Sequence, residues 1–257
     1  MSDTYRNYSS LEYQRLLLWA AAGLPNGYFA LSDYQSGFTT VWNPNTGQLT
    51  NKLMTDKVNY KNSLLALPNG NLVVGAINCL KYCNISTNIC NNMIDPNEGC
   101  IESYDKIMTL TKNELVVVSF KRKYLMAWNT KDYKFAWKTS DICTKRIECV
   151  VSLSDGNIAT CGGDGKIQIL FPSDGTIKKT LVHNSDIGVH SAVEIKYGFL
   201  ATGANWPDNT VKIWNYLSGL LVKTLIGHKS TIHAMVVTKD LKLATVEGED
   251  SNIFLWT

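Results

Sequence analysis

The four histidines are the side chains best suited to acid–base or metal chemistry, and they lie at His183, His190, His228 and His233. The sequence contains no Gly-x-Ser-x-Gly nucleophile turn, no His-Glu-x-x-His metal motif and no phosphate loop that opens a helix. The glycine-rich run at 162–165 falls in a predicted strand-to-strand turn, which is a weak setting for binding phosphate. We therefore expect no catalysis, no cofactor and no metal site.

Seven cysteines are a second possible source of chemistry. Four of them crowd into one stretch, at Cys79, Cys83, Cys90 and Cys100, where a metal site or a pair of disulfides is conceivable. The stretch lacks the paired Cys-x-x-Cys spacing of metal sites, and the repeats described below spread these residues over different strands. We therefore predict free thiols that pack as small hydrophobic side chains, as we do for Cys143, Cys149 and Cys161.

An internal repeat sets the positions of all these residues. A turn followed by a short apolar run recurs six times, with the runs starting 43, 43, 43, 42 and 43 residues apart at Phe29, Leu72, Leu115, Ile158, Leu200 and Leu243. Each run is followed by a strand that ends on a large or apolar anchor: Trp42, Cys83, Trp128, Leu170, Trp214 and Trp256. Two markers with one period indicate a repeat protein.

Each repeat contains signals for four short strands separated by turns, which predicts an all-β fold. Residues 13–22 align with the first strand of the other copies, so we interpret them as strand. The last copy stops after its anchor strand, and by register Thr4–Ser10 occupy the missing fourth position. The sequence thus predicts one domain over 1–257, a six-bladed β-propeller of four-stranded antiparallel blades closed by the N-terminal strand, which leaves no open sheet edge.

The phrases at 208–214 (Asp-Asn-Thr-Val-Lys-Ile-Trp) and 227–228 (Gly-His) resemble the WD-repeat β-propellers. That resemblance implies a buried hydrogen-bonded network of His, Ser or Thr, Asp and Trp in a blade. Two sets in this sequence match it: His183, Thr202, Asp208 and Trp214, and His228, Thr245, Asp250 and Trp256. A buried imidazole held between a carboxylate and a hydroxyl is fixed in tautomer and orientation.

The other copies depart from this pattern. The fourth keeps Thr160 and Asp164 but has Leu170 as its anchor and no histidine, and the first three lack the aspartate. We expect those blades to rely more on apolar packing between sheets.

Charge and hydropathy exclude some classes of function. The formal net charge is +3, which is too mild to suggest DNA binding. The longest apolar stretch, 16–24, is too short to span a membrane, and the N-terminus has no apolar leader. We expect a monomeric protein of the cytoplasm or nucleus that is not secreted.

The surface then becomes the candidate for function. In a propeller, the loops between second and third strands share one face with the connections between blades. On that face we expect five basic residues and one aromatic residue: Lys121, Arg122, Lys123, Lys145, Arg146 and Trp206. The sixth blade should be acidic there and includes Glu247. Exposed Trp and Arg are enriched in binding hot spots.

These residues predict a non-catalytic scaffold whose rigid face binds protein or peptide partners. Ordinary solvated loops remain an alternative for the basic residues, and packing over a neighbouring loop remains one for Trp206. Two other functions stay open: a small ligand in the central channel, or a basic face that binds RNA or phospholipid headgroups.

Overall fold

Regular structure in this protein consists of β-strands. The structure, a computed structural model, describes residues 18–33, 36–56, 64–76, 79–94, 99, 107–111, 115–119, 123–248 and 252–256. These residues form 23 strands and no helix, so no helix in this part of the chain is long and apolar enough to cross a membrane. The predicted all-β class is confirmed.

The chain divides into two compact units, residues 1–106 and 107–257. The first unit contains two four-stranded sheets, each with its strands in chain order. Sheet 1 is formed by β1 (Leu18–Gly23), β2 (Phe29–Asp33), β3 (Phe38–Trp42) and β4 (Leu49–Met54). Sheet 2 is formed by β5 (Leu64–Ala66), β6 (Leu72–Gly75), β7 (Leu80–Asn84) and β8 (Ile89–Met93).

The second unit contains four further sheets, again with sequential strands hydrogen-bonded to one another. Sheet 3 comprises β9 (Ile107–Leu110), β10 (Leu115–Ser119), β11 (Leu125–Asn129) and β12 (Phe135–Lys138). Sheet 4 comprises β13 (Ile147–Ser152), β14 (Ile158–Gly162), β15 (Lys166–Leu170) and β16 (Ile177–Val182). Sheet 5 comprises β17 (Val189–Lys196), β18 (Phe199–Ala204), β19 (Val211–Asn215) and β20 (Leu220–Leu225). Sheet 6 comprises β21 (Ile232–Val237), β22 (Leu243–Glu247) and β23 (Ile253–Trp256).

The repeat markers have the predicted places in these sheets. The apolar runs are second strands and the anchors end third strands, so that Leu200 is paired with Trp214, and Leu243 with Trp256. The predicted turns form as well, with Gly27 donating its N–H to Leu24 and Gly70 donating to Leu67. Six sheets of antiparallel strands therefore follow the sequence period.

Apolar cores lie between neighbouring sheets within each unit. In the first unit, Ala30 and Val41 of sheet 1 pack in one cluster with Leu72 and Val74 of sheet 2. In the second unit, one cluster joins Ile167 of sheet 4 to Leu200 and Trp214 of sheet 5. Each sheet alone has too little apolar surface to bury, so stacking provides the core.

Two predictions meet the limits of the described residues. The strand predicted over 13–22 is present as β1 from Leu18 onward, whereas 13–17 lie outside those residues. The closing strand at Thr4–Ser10 also lies outside them. Among the described residues, sheet 6 has three strands, as expected for a copy that stops after its anchor.

Candidate functional site

Sheet 5 contains a buried chain of hydrogen bonds built from the predicted residues. Trp214 Nε1 donates to Thr202 Oγ1 at 2.9 Å, and the same hydroxyl lies 2.9 Å from His183 Nδ1. On the other side of the ring, His183 Nε2 lies 3.1 Å from Thr210 Oγ1, which donates to Asp208 Oδ1. His183, Thr202 and Trp214 are all buried, so these hydrogen bonds join β18 and β19 to the connection that precedes sheet 5.

Trp214 and Asp208, at the two ends of these hydrogen bonds, determine which atom donates in each bond. An indole N–H can only donate and an ionised carboxylate can only accept. Thr202 therefore accepts from Trp214 and donates to His183 Nδ1, while His183 Nε2 carries the proton and donates to Thr210. The imidazole is neutral in this arrangement, with its proton on Nε2. Asp208 reaches the ring mainly through Thr210, because its own oxygen is 3.6 Å from His183 Nε2.

Sheet 6 repeats this chain with the ring turned over. Trp256 Nε1 donates to Thr245 Oγ1 at 2.9 Å, and Thr245 Oγ1 lies 2.7 Å from His228 Nε2. His228 Nδ1 lies 3.3 Å from Glu247 Oε2. By the same reasoning Thr245 donates to Nε2, and the proton of His228 is on Nδ1. The fourth predicted member, Asp250, lies outside the described residues.

Two functional members of these chains were missed from the sequence. Thr210 carries the link between His183 and Asp208, and Glu247, expected as an exposed acid, is instead buried against His228. Glu247 also accepts from Asn252 Nδ2 and from the Lys229 N–H, and these bonds lower the pKa of its carboxyl. Strand alternation was the available signal, since Thr245 and Glu247 are two residues apart and share a face of β22.

Hydrogen bonds between polar side chains also occur within the sheets that lack the histidine. In sheet 4, Thr144 donates both its N–H and its hydroxyl to Asp164 Oδ2, at 2.9 and 3.0 Å. In sheet 1, Thr39 Oγ1 lies 2.8 Å from Ser32 Oγ and 3.1 Å from Thr55 Oγ1, all buried. The expectation that these sheets depend more on apolar packing therefore overlooked their buried hydroxyl groups.

The buried histidines make stability sensitive to acid. Burial lowers the pKa of His183 to about 4, and the Lys212 ammonium adds to this effect while Asp208 opposes it. In the unfolded chain a histidine has a pKa of about 6.5. Protonation of His183 therefore favours the unfolded state. The stabilisation from neutral His183 is fully present above pH ~6.5 and is lost progressively as the pH falls to about 4. The free energy of unfolding falls by at most about 3 kcal/mol over this range.

We expect the free energy of unfolding to fall as the pH is lowered through this window. Urea denaturation at several pH values measures it, and His183→Gln, which does not titrate, should flatten the slope in part. The pKa of His228 is also lowered by burial, so some slope should remain in that variant. Identical pH profiles for the two proteins would contradict the neutral, buried state of His183.

The described members of the predicted surface set lie at one end of sheets 3, 4 and 5, which we call the rim end. There the first strand begins where the second strand ends, as in the pairs Ile147 with Gly162 and Val189 with Ala204. Connections between sheets therefore meet the loops between second and third strands, as predicted. Gly163 N donates to Arg146 O at 2.8 Å, and Asn205 N donates to Gly188 O at 2.9 Å.

Four predicted residues are described at this end, and we call them the rim patch: Lys123, Lys145, Arg146 and Trp206. Lys123 is joined to the entry of sheet 4, because its carbonyl accepts from the N–H groups of Ile142 and Cys143. Trp206 is 69% exposed, while its backbone N–H donates to Thr231 Oγ1 at 3.0 Å. Packing over a neighbouring loop therefore does not cover its side chain. Lys121 and Arg122 lie outside the described residues.

Beside the rim patch, two histidines meet on neighbouring first strands. The rings of His190 and His233 are 4.9 Å apart and edge-to-face, and His190 Nδ1 lies 3.8 Å from Glu148 Oε2. Glu148 in turn accepts from Arg146 Nε at 2.5 Å. Burial lowers the pKa of His190, against the opposing effect of Glu148. Within the described residues, no group of three or more His, Cys, Asp or Glu could hold a metal ion.

The prediction of free thiols is wrong for part of the cysteine cluster. Cys83 and Cys90 form a disulfide across the β7–β8 hairpin, and Cys79 is also disulfide-bonded. Antiparallel pairing places Cys83 directly opposite Cys90, which assignment to two different strands did not reveal. Cys143, Cys149 and Cys161 are free thiols, as predicted.

Comparison with known proteins gives partial sequence matches. No protein-family model matches the chain. A stretch of 76 residues is 37% identical to autophagy-related protein 16 of Arabidopsis thaliana. It covers 29% of this chain and 14% of that protein, so the chain spans only a small part of this relative.

A solved structure is similar over nearly the whole chain. The crystal structure of the computationally designed Ika8 protein matches with a TM-score of 0.76, covering 96% of this chain and 72% of the designed one. The two sequences are 18% identical, so the likeness concerns the fold alone. The chain is thus similar in fold to a designed protein, and 29% of its length is similar in sequence to an autophagy-related protein.

Proposed function

We propose that the six sheets are the blades of a WD-repeat-type β-propeller closed by Thr4–Ser10. The regular period, the six sequential antiparallel sheets and the Trp–Thr–His chains of sheets 5 and 6 support this proposal. The fold likeness to the Ika8 protein, over 96% of this chain, is compatible with a repeat-like β fold.

On this framework we propose a non-catalytic scaffold that binds a protein or peptide at the rim patch. The observation that carries the proposal is Trp206, a largely exposed indole on a loop whose backbone is anchored to two neighbouring sheets. A rigid aromatic side chain loses little entropy on binding, and Trp and Arg dominate binding hot spots. Arg146 and Lys145, both exposed, supply charge beside it.

The histidines support a role without catalysis. Both ring nitrogens of His183 and of His228 are engaged in the buried chains, which leaves neither ring available to a substrate. Their conformation serves the fold, and the binding function rests on the surface loops.

A second candidate is a small-ligand site, because His190, His233 and Glu148 meet on first strands. It is the polar, histidine-lined arrangement that such a ligand requires. The rim patch and this cluster are separable by substitution, since Trp206 is not part of the cluster.

Affinity purification with mass spectrometry tests the scaffold. Lys145→Glu combined with Trp206→Ala should lose at least one partner that the wild-type protein recovers, because a hot-spot side chain contributes about 2 kcal/mol or more. Melting should stay near the wild-type temperature, since both side chains lie at the surface.

The matched control carries the same kinds of change at the opposite end of the sheets, as Lys178→Glu with Tyr197→Ala. It should keep the partners that the rim variant loses. Recovery of the same partners by the rim variant and by wild type would contradict the assignment of the rim patch.

A further inference from the structure

The opposite end of sheets 4, 5 and 6 has an unusual set of hairpin tips. Four turns there, at 170–177, 196–199, 215–220 and 237–243, each hold a large apolar or aromatic side chain in solvent; we call them the basal turns. The exposed fractions are 41%, 62%, 46% and 57% for Phe171, Tyr197, Leu217 and Leu241.

Contacts between the sheets place these turns side by side. Lys179 Nζ of sheet 4 donates to the carbonyl of Leu217 in sheet 5 at 2.5 Å, and Ser154 N donates to Glu194 Oε2 at 2.7 Å. Within sheet 5, Tyr216 N donates to Gly198 O at 2.9 Å, which joins the turns that carry Tyr197 and Leu217. Ile195, beside the turn that carries Tyr197, packs in one cluster with Val237, beside the turn that carries Leu241. The apolar tips therefore lie at the same end of three neighbouring sheets.

The fold does not require apolar side chains at these positions. Turns favour Gly, Asn, Asp and Ser, which satisfy the backbone and remain solvated. Leu241 even has φ of 61°, a left-handed conformation that bulky side chains rarely adopt. Neither the conformation nor the burial of this turn therefore requires leucine at position 241.

Lysines surround these tips. Among the described residues of the basal turns and the strand ends beside them, five lysines stand against four acidic residues: Lys178, Lys179, Lys196, Lys239 and Lys242 against Asp155, Asp174, Glu194 and Asp240. The Lys178 ammonium lies 5.3 Å from the Phe171 ring, so charge and apolar surface occur together. Lys242 also pairs with Asp240 at 2.8 Å.

We propose that the basal turns dock on the surface of an anionic lipid bilayer. Apolar tips would enter the boundary between headgroups and acyl chains, while the lysines contact lipid phosphates. The tips are separated by polar turn residues, and a fluid bilayer can surround each one. A protein partner would instead need a contiguous complementary patch. This surface is distinct from the rim patch and does not depend on the proposed scaffold function.

Cosedimentation with vesicles tests the proposal. The wild-type chain should bind vesicles made of an equal mixture of phosphatidylcholine and phosphatidylserine. Its affinity for vesicles of pure phosphatidylcholine should be lower by about tenfold or more. Binding should weaken as salt is raised, because exposed charges are screened. Soluble glycerophosphoserine, which has the headgroup without acyl chains, should compete poorly, since it offers no apolar boundary for the tips.

Two basal variants separate the contributions. Lys178→Glu with Lys239→Glu should weaken binding to the anionic vesicles by about tenfold or more. Tyr197→Ser with Leu217→Ser should weaken binding to both vesicle types, and the rim variant Lys145→Glu with Trp206→Ala should bind like wild type. Circular dichroism confirms that each variant is folded.

Three outcomes would overturn the proposal: no binding to anionic vesicles at low salt, equal binding to both compositions, or wild-type binding by both basal variants. Retention on immobilised polyglutamate without vesicle binding would assign the basal turns to an acidic protein instead. Partner recovery through the rim patch is independent of each outcome.

Discussion

Gly165→Ala should destabilise the second unit by about 4 kcal/mol. A Cβ on Gly165 would lie 1.6 Å from the carbonyl oxygen of Asn184 and 2.8 Å from that of Ile187, both backbone atoms that cannot rotate away. Gly165 also has φ of 77°, where a Cβ is unfavourable. Its carbonyl accepts from His183 N at 2.9 Å, so relief of the clash would disturb the buried chain of sheet 5.

Gly156→Ala is the matched control for this variant. Gly156 has φ of 88° and lies in a turn of the same sheet, but a Cβ there meets nothing within 4 Å. It should therefore cost only the conformational term of about 1 kcal/mol. Urea denaturation of both variants measures the difference. Equal losses of stability would show that Gly165 is not closely packed against the 183–188 connection.

Thr202→Val should cost about 3 kcal/mol, because it removes one hydroxyl that serves two buried partners. Valine has nearly the shape of threonine, so packing is conserved while Trp214 Nε1 and His183 Nδ1 both lose their partner. An unsatisfied buried donor is penalised by its full desolvation cost. Thermal and urea unfolding measure the loss, and Thr202→Ser, which retains the hydroxyl, should recover most of it.

Thr160→Val tests whether the loss of stability in Thr202→Val arises from the hydrogen bonds to His183 and Trp214. Thr160 has the equivalent position in β14, where its neighbour in the third strand is Gln168 and the anchor is Leu170. Among the described residues, no indole or imidazole is hydrogen-bonded to the Thr160 hydroxyl. We therefore expect Thr160→Val to lower the free energy of unfolding by less than about 1 kcal/mol. Similar costs at Thr160 and Thr202 would contradict the directional chain from Trp214 to His183.

Strand pattern and period in the sequence predicted much of the secondary structure. The turn–run–anchor repeat gave the number of sheets and the strand order, because side-chain alternation and turn residues act over a few neighbouring residues. It also predicted His183, Thr202 and Trp214 as partners. Their spacing is set by one hairpin and the connection before it, which the period reproduces.

Other features depended on which residues face one another across strands and sheets. The disulfide of Cys83 required the hairpin register, and the burial of Glu247 required the position of His228. The contact of His190 with His233 joins two neighbouring sheets through residues that are one full repeat apart in the chain. Sequence position alone does not report such distances.

The repeat by itself thus determined that this chain forms sequential antiparallel sheets with Trp–Thr–His chains in the last two. Only the tertiary structure decided how these chains end: through Thr210 to Asp208 in sheet 5, and at Glu247 in sheet 6. The orientation of each imidazole follows from which acid lies within hydrogen-bonding distance, and that distance is fixed by the packing of connections around each sheet. The same packing brings Trp206 to the rim end and Leu217 to the basal end, where the two proposed surfaces lie.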